Sequence, residues 1–554
     1  MSKRSQLDSA GPLTGGGTFR HRVEDVRFVV TTQGVALSKI GVRITGKWHL
    51  MDSEKLAKGH SDEIVSLCLH NEIPVDSDAK DRRALCEQLL AAPCGQVMVF
   101  EPSAYQRVHH ADFNAEVFVW RNELHWVGEE PDLSWVIRES RVSVPADPRG
   151  TIAAWKKFAK CFQGNHYLVV GLGASLSALL AGPLGAAPLS LIFVGRSAVG
   201  KSAMQSALQS IVRAPGLDSA SGSLRGLQQS LSELGGQPVF LEDLRQLNDP
   251  QGWVELLFDI GNQSSRVVGQ PSQVAAIGKA MECLMIASNE RTIAEMLGSK
   301  KYDGALDSRV LQLEMNGPHG AFHRLPEDMN GAQFADHLKS GARRNYGTVW
   351  DAWVPTVAAN LSTIRSQWKK QKSELVELLL EQCEAVDGAV RRVVEGCAFW
   401  MFCLQLATEY DLVPLTSGKI TRSFSKVIQE HLAARRSGVA PQAQRVIDDL
   451  RVLIRNHPSK FPELSASAME MDKRLGFRKK FKDQECYLFH SETLVKHIGG
   501  ESVGHRHLIH ALTSAKLLRT NPKDKENRGT LVVKLPDGTT SRFVAVSAEI
   551  LSGD

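Results

Sequence analysis

The residues most suited to chemistry lie in Leu189–Ser202, LSLIFVGRSAVGKS, where an apolar run meets the loop Gly195, Arg196, Ser197, Ala198, Val199, Gly200, Lys201 and Ser202. A helix-forming stretch, AMQSALQSIV, follows directly. This is the complete G-x-x-x-x-G-K-[ST] pattern in its strand–loop–helix setting. The glycines let backbone amides turn inward around phosphate oxygens, and the helix N-terminus adds positive potential. Lys201 is expected to reach the β- and γ-phosphates of ATP, and the Ser202 hydroxyl to hold Mg²⁺.

Hydrolysis needs carboxylates beside that loop. Pro238–Leu244 (PVFLEDL) has strand character and then Glu242 and Asp243. The usual order is Asp then Glu, the first organising Mg²⁺ and the second polarising the attacking water. Here the order is reversed, so Glu242 is expected near the metal and Asp243 at the water. Asp is one methylene shorter than Glu, which predicts slow turnover. A third buried strand, ECLMIA, ends in Ser288-Asn289-Glu290, and Asn289 is placed to touch both γ-phosphate and water, with Ser288 beside it. A helical stretch, RTIAEMLGSK, then leads to LDSRVLQLEM, where Arg309 precedes another strand. From that position an arginine is expected to project into the next subunit's nucleotide and neutralise charge in the transition state.

These elements sit in a chain of 554 residues, enough for roughly three or four domains. Its 66 basic and 61 acidic residues exclude a uniformly basic DNA-coating protein but allow local basic patches. Its 9 cysteines form no CxxC pair or zinc-finger spacing, which points to a reducing, cytoplasmic setting without a disulfide scaffold or structural zinc. The segment Cys161–Gly195 contains no Asp, Glu, Lys or Arg and is long enough for a membrane span. Pro183 and Pro188 split it, however, into a small-residue helix and a strand that feeds a water-facing loop, so a buried core helix is expected and no membrane.

The expected fold class is an α/β P-loop core with an N-terminal α/β or mostly β domain, a helical lid and a C-terminal winged-helix-like domain. The expected divisions are a disordered lead-in (1–22), a collar or substrate-binding domain (23–147), the ATPase core (148–330), the lid (331–435) and the DNA-binding end (441–554). In the first domain His109, His110, Asp112 and Glu116 follow no metal-ligand spacing and read as a polar loop. In the last, TLVVKL and SRFVAV flank Pro536-Asp537-Gly538 as a hairpin. Lys473–Lys482, KRLGFRKKFK, contributes Lys473, Arg474, Arg478, Lys479, Lys480 and Lys482 with two interleaved Phe. Such a segment is suited either to phosphate contact with base stacking or to being a solvated basic loop. His505, His507 and His510 do not share a helix face and are poor ligands.

With P-loop, acidic strand end, polar strand end and arginine in this order, the core resembles an AAA+ ATPase. More narrowly, Gly150–Met315 resembles the ATPase domain of a mobile-element and prophage family long filed as a "domain of unknown function", similar to ring-forming helicases of the MCM-like and superfamily 3 kind. The likeness is carried by the apolar helix before LIFVGRSAVGKS, by SASGSLRGLQQSLSELGGQPVFLED, by FDIGNQSSR and by LMIASNE. It implies a homo-oligomeric ring, a hexamer, acting on single-stranded or forked DNA. It also implies a channel hairpin over Arg266–Lys279, with Arg266 or Lys279 on phosphates, and a lid arginine, Arg392, at the γ-phosphate. The reversed Glu242-Asp243 pair departs from that pattern. It keeps a second reading open, an ATP-regulated nucleic-acid-binding switch that does not unwind.

Overall fold

The computed structural model describes residues 22–74, 78–102, 105–110, 113–138, 147–216, 218–219, 227–228, 231, 234–242, 250–262, 283–297, 305–315, 319–383, 386–436, 441–464, 474–481, 484–497, 505–520, 529–536 and 538–551. At the N-terminus, strands β1 (Val23–Thr31), β2 (Ala36–Ile44) and β3 (Lys47–Asp52) precede helices α1 (Ser53–Ala57), α2 (Asp62–His70) and α3 (Ala79–Ala91). With β4 (Gln96–Phe100) and β8 (Trp135–Ile137) the strands form one sheet in the order β3-β2-β1-β4-β8. Between β4 and β8 the chain makes a separate three-stranded sheet of β5 (Tyr105–His110), β6 (Phe113–Trp120) and β7 (Glu123–Trp126).

The central sheet is wholly parallel. It contains β9 (Ser190–Val194), β10 (Asp218–Ser219), β11 (Pro238–Glu242), β12 (Leu284–Asn289) and β13 (Val310–Glu314), in the order β10-β11-β12-β9-β13. All five residues of β9 are buried, as expected of a strand covered on both faces. Leu191 and Phe193 point to one cluster with Phe240 and Ile286, while Ile192 and Val194 point to the other with Val239 and Met285. The second face is covered by α7 (Pro250–Gly261) through Leu256, Leu257 and Ile260.

The first face is covered by α5 (His166–Leu184), which follows α4 (Ile152–Ala159), and by α6 (Lys201–Gln209). Among the described residues α5 is the one helix long and apolar enough to cross a membrane, and 89% of that window is buried inside the protein. Its small residues explain the depth. A Cβ on Gly171 would lie 2.5 Å from the Leu208 Cδ1, and one on Gly173 2.8 Å from the Trp400 carbonyl. The all-round apolar composition is that of a helix surrounded by other helices. Pro183 lies inside its last turn, so the helix ends at Gly185, which caps it in the left-handed region.

After α8 (Ile293–Leu297) and β13 the chain is helical: α9 (Gly331–Arg344), α10 (Thr348–Leu380), α11 (Gly388–Glu409) and α12 (Ser417–Arg436). The 33 residues of α10 span about 50 Å. Two polar clamps fasten the β5-β6-β7 sheet to it. Asp351 accepts from the Trp120 indole and the Arg121 guanidinium, each at 2.7 Å. The Arg365 fork donates to both oxygens of Glu116 at 2.6 Å, with the Tyr105 hydroxyl donating to the same carboxylate. Arg365 therefore holds the Glu116 carboxyl below its ordinary range.

The C-terminal region begins with α13 (Pro441–Asn456). Its strands are β14 (Phe477–Phe481), β15 (Gln484–Phe489), β16 (Leu518–Arg519), β17 (Leu531–Lys534) and β18 (Thr540–Ser547), with α14 (Ser491–His497) and α15 (His505–Ser514) between them. The expected hairpin forms as β17 paired to β18, but within a larger sheet ordered β14-β15-β18-β16. Within the basic segment, Phe477–Phe481 is therefore an edge strand of this sheet.

Candidate active site

The carboxyl ends of β9, β11 and β12 stand level, since Asn289 pairs with Val194 and Leu241 with Ala287. β12 lies between the other two, which puts Asn289 between the P-loop and Glu242. Ligands of parallel α/β sheets bind at this end of the strands. Here a cleft of about 440 Å³ is lined by Lys201, Ser202, Glu242, Ser288 and Asn289.

The loop that forms its floor is braced on all sides. The Gly195 amide donates to the Asn289 carbonyl at 3.1 Å. Ala198 (φ +63°) and Gly200 (φ +106°) turn the chain through the left-handed region. A Cβ on Gly200 would fall 2.8 Å from the Phe322 ring. From the opposite side Ala321 donates its amide to the Val199 carbonyl at 2.9 Å. Gly320 (φ +71°) has no room for a side chain, because a Cβ would lie 2.7 Å from the Val199 oxygen. Nothing in the chain pattern singles out this 319–322 brace, which forms only through tertiary contact with the loop.

Lys201 donates to the carbonyls of Gly195 at 2.6 Å and Arg196 at 2.7 Å, which holds its ammonium over the loop. The Ser202 hydroxyl donates to Glu242. A hydroxyl and a carboxylate in contact at a strand end supply hard oxygen donors of the kind Mg²⁺ takes. Their spacing is fixed by Gln205, which is fully buried and donates to the carbonyls of Leu241 at 3.1 Å and Ile286 at 3.2 Å. Gln205 thereby ties α6 to both β11 and β12. The only sequence signal for it is a polar residue on an otherwise apolar helix face.

Asn289 is 2% exposed. Its amide nitrogen donates to the Arg291 carbonyl at 2.7 Å, and its Oδ1 is buried with no partner among the described residues. A buried amide oxygen without a partner is costly unless it serves a ligand or a water. Asp243, the expected neighbour of Glu242, lies outside the described residues, as do Arg266 and Lys279.

Arg309 is at the opposite end of the sheet. It precedes Val310, which pairs with Ser190, the first residue of β9, so the five-residue strand puts it about 17 Å from its own P-loop. The guanidinium stacks on Phe258 at 4.9 Å and donates to Asn262 at 3.1 Å. It lines a second cleft of about 440 Å³ together with Asn262, Ser308, Lys372 and Arg392. Arg392, expected at the γ-phosphate, lines this second cleft beside Arg309 rather than the P-loop cleft of the same copy. Helix α11 crosses α5 and presents its first turns to the amino-terminal ends of β9 and β13.

On the C-terminal sheet, Arg474, Arg478, Lys479 and Lys480 lie at or within β14, while Lys473 and Lys482 are outside the described residues. Arg478 donates to the Phe461 carbonyl at 3.0 Å, and Arg474 lies 5.6 Å over the Phe477 ring. Phe477 packs edge-on against Phe543, and Phe481 lies under Lys479 and Arg519. Both interleaved aromatics are thus partly buried in the sheet's own packing, and among the described cations of the segment Lys480 is the most exposed. Among the described residues no group of His, Cys, Asp and Glu could hold a metal ion by itself, and Asp112 and the side chains of His505, His507 and His510 are outside them.

Residues 101–274, which include the P-loop and Glu242, match the family model described as "Domain of unknown function (DUF927)". The solved structure described as "SCCmec type IV Cch - active helicase" is similar at a TM-score of 0.55 and 15% identity, over 95% of this chain and 94% of that one. The apo NrS-1 C-terminal region corresponds more loosely, with a TM-score of 0.29 and 12% identity over 72% of this chain and 90% of that one. A second apo structure, described as the NrS-1 C-terminal region 305–718, gives 0.27 at 10% identity, over 73% of this chain and 91% of that one. No curated protein matches the chain. The mixed α/β architecture with several sheets is thus similar to that of a protein described as an active helicase, along nearly the whole of both chains.

Proposed function

We propose that this chain is an ATP-driven DNA helicase or translocase of the AAA+ type, active as a homo-oligomeric ring on single-stranded or forked DNA and serving a mobile element. The observation that carries the reading is the separation of the two halves of the site. The phosphate loop, Ser202 and Glu242 line one end of the parallel sheet, and Arg309 lies about 17 Å away at the other end of the five-residue β9. An arginine at that distance cannot reach its own nucleotide, whereas a second copy packed end to end would bring it to the γ-phosphate. Repetition of such a head-to-tail contact closes a ring where its rotation returns to the first copy.

In this reading Lys201 binds the β- and γ-phosphates, Ser202 and Glu242 hold Mg²⁺, and Asn289 orients the attacking water. Asp243 accepts the water's proton, and Arg309 of the adjoining copy neutralises the charge that develops on the transferred phosphoryl group. Mg²⁺, when bound, polarises the phosphoryl oxygens. Lys480 on the β14 edge and the cations of Arg266–Lys279 meet DNA phosphates. The likeness in fold to a protein described as an active helicase supports this assignment. The reversed Glu242-Asp243 order favours one competing reading, an ATP-gated DNA-binding switch. ATP hydrolysis with and without single-stranded DNA separates the two. A motor is stimulated by DNA and loses turnover in Lys201→Ala, whereas a switch binds ATP and turns over at a rate that DNA leaves unchanged.

A further inference from the structure

The wall facing the P-loop across the nucleotide cleft is α9, GAQFADHLKSGARR. Its buried side is fixed by Phe334 and Leu338, and Gly341 lets the backbone lie against Phe158, where a Cβ would sit 2.2 Å from the ring. Phe334 meets Phe322 edge-on at 4.8 Å, and Phe322 is the ring packed under Gly200. The helix and the phosphate loop are therefore braced on the same aromatic pair and move together. The other side of α9 presents Ala332, Ala335, Asp336 and Lys339 to the cleft. Two alanines leave open space before the two charged residues, which sit one turn apart on one helix face.

Lys339 is half-buried and has no ion-pair or hydrogen-bond partner among the described residues. The described lining carries two cations, Lys201 and Lys339, against the carboxylates of Glu242, Glu290 and Asp336. Lys201, which donates to the Gly195 and Arg196 carbonyls, reaches both the β- and γ-phosphates in the reading above and so serves a diphosphate as well as a triphosphate. A triphosphate adds to this cleft a terminal anionic group that a diphosphate lacks, and Arg392 is lodged in the far cleft. We propose that Lys339 is the cation with which the chain reads the terminal phosphate of its own nucleotide, so that α9 distinguishes ATP from ADP. This rests on the nucleotide reading of the cleft.

The test is the affinity of the full chain, with Mg²⁺, for fluorescent ADP and for a fluorescent non-hydrolysable ATP analogue. The wild type is compared with Lys339→Ala, Lys339→Arg and Lys201→Ala. A charge-assisted hydrogen bond to the terminal phosphate predicts a loss of roughly tenfold to a hundredfold for the ATP analogue in Lys339→Ala. ADP affinity stays at the wild-type value, which also reports an intact fold, and Lys339→Arg restores most of the discrimination. An unchanged ratio of the two affinities in Lys339→Ala, or an equal loss for both nucleotides, overturns the proposal. If Lys201→Ala loses binding while Lys339→Ala does not, the nucleotide site stands and the role of Lys339 falls. If the wild type binds neither nucleotide, both fall.

Discussion

At one end of the parallel sheet the P-loop, Ser202 and Glu242 line a cleft of about 440 Å³; at the other, Arg309, Lys372 and Arg392 line a cleft of the same volume. The first is built from backbone. Its amides are aimed by two left-handed residues and by the brace at 319–322, and the Ser202 hydroxyl and Glu242 carboxylate meet beside them. The second is built from long cationic side chains projecting from β13 and from α10 and α11, with aromatic support from Phe258 and Trp368. In the proposed function the first grips a phosphate chain and the second brings positive charge to the nucleotide of a neighbouring copy. Each supplies what the other lacks, and the body of the sheet keeps them apart within one chain.

The sharpest way to break this comparison is Arg309→Ala. It should leave ATP affinity within about twofold and lower turnover by about a thousandfold or more, the range found for arginines supplied between subunits. Equilibrium binding together with steady-state hydrolysis checks it, and wild-type turnover would mean that the far cleft plays no part in chemistry.

Next in size is Arg365→Ala, which acts on α10, two turns before Lys372. Both partners of the Glu116–Arg365 pair keep part of their exposure, 24% and 35%, so its loss should cost about 2 kcal/mol rather than the full value of a buried pair. The depressed Glu116 pKa gives the sign with pH. The contribution is complete at neutral pH, above the unfolded value, and is lost as the pH falls through the folded one. Thermal melts should show an acid-side decline in the wild type that is shallower in the variant. The smallest effect is expected for Gly320→Ala, confined to the phosphate cleft. A strained φ and a close approach to Val199 should cost about 1 kcal/mol. Nucleotide affinity should weaken several-fold, with turnover at saturating ATP nearly unchanged.

What could be read in the sequence follows the range of the interactions. The P-loop is a contiguous pattern whose backbone conformation is set by its own glycines, and β9, β11 and β12 announce themselves as short apolar runs. The burial of α5 could be read from the way its apolar run is interrupted and from the loop it feeds. Arg392 could not be placed, because which end of the sheet a helix turn reaches depends on how α11 crosses α5, a matter of packing at Gly173 and Trp400. The aromatics of KRLGFRKKFK look free in the sequence, but on β14 Phe477 packs against Phe543 from a strand more than sixty residues away and Phe481 joins the same cluster. Gln205, Gly320 and Lys339 carry no motif. Each gains its role only when α6, the 319–322 turn and α9 close on the same loop.

The central claim is that one working site is assembled from two copies of the chain, and a mixing experiment tests it most directly. Lys201→Ala lacks the phosphate grip but keeps Arg309, and Arg309→Ala keeps the grip but lacks the arginine. Each alone should be inactive in ATP hydrolysis. Mixed in equal amounts, the two should regain DNA-stimulated turnover, because an intact P-loop in one copy then faces an intact Arg309 in the next. A mixture as inactive as either variant alone, under conditions where the two co-assemble, would contradict the account.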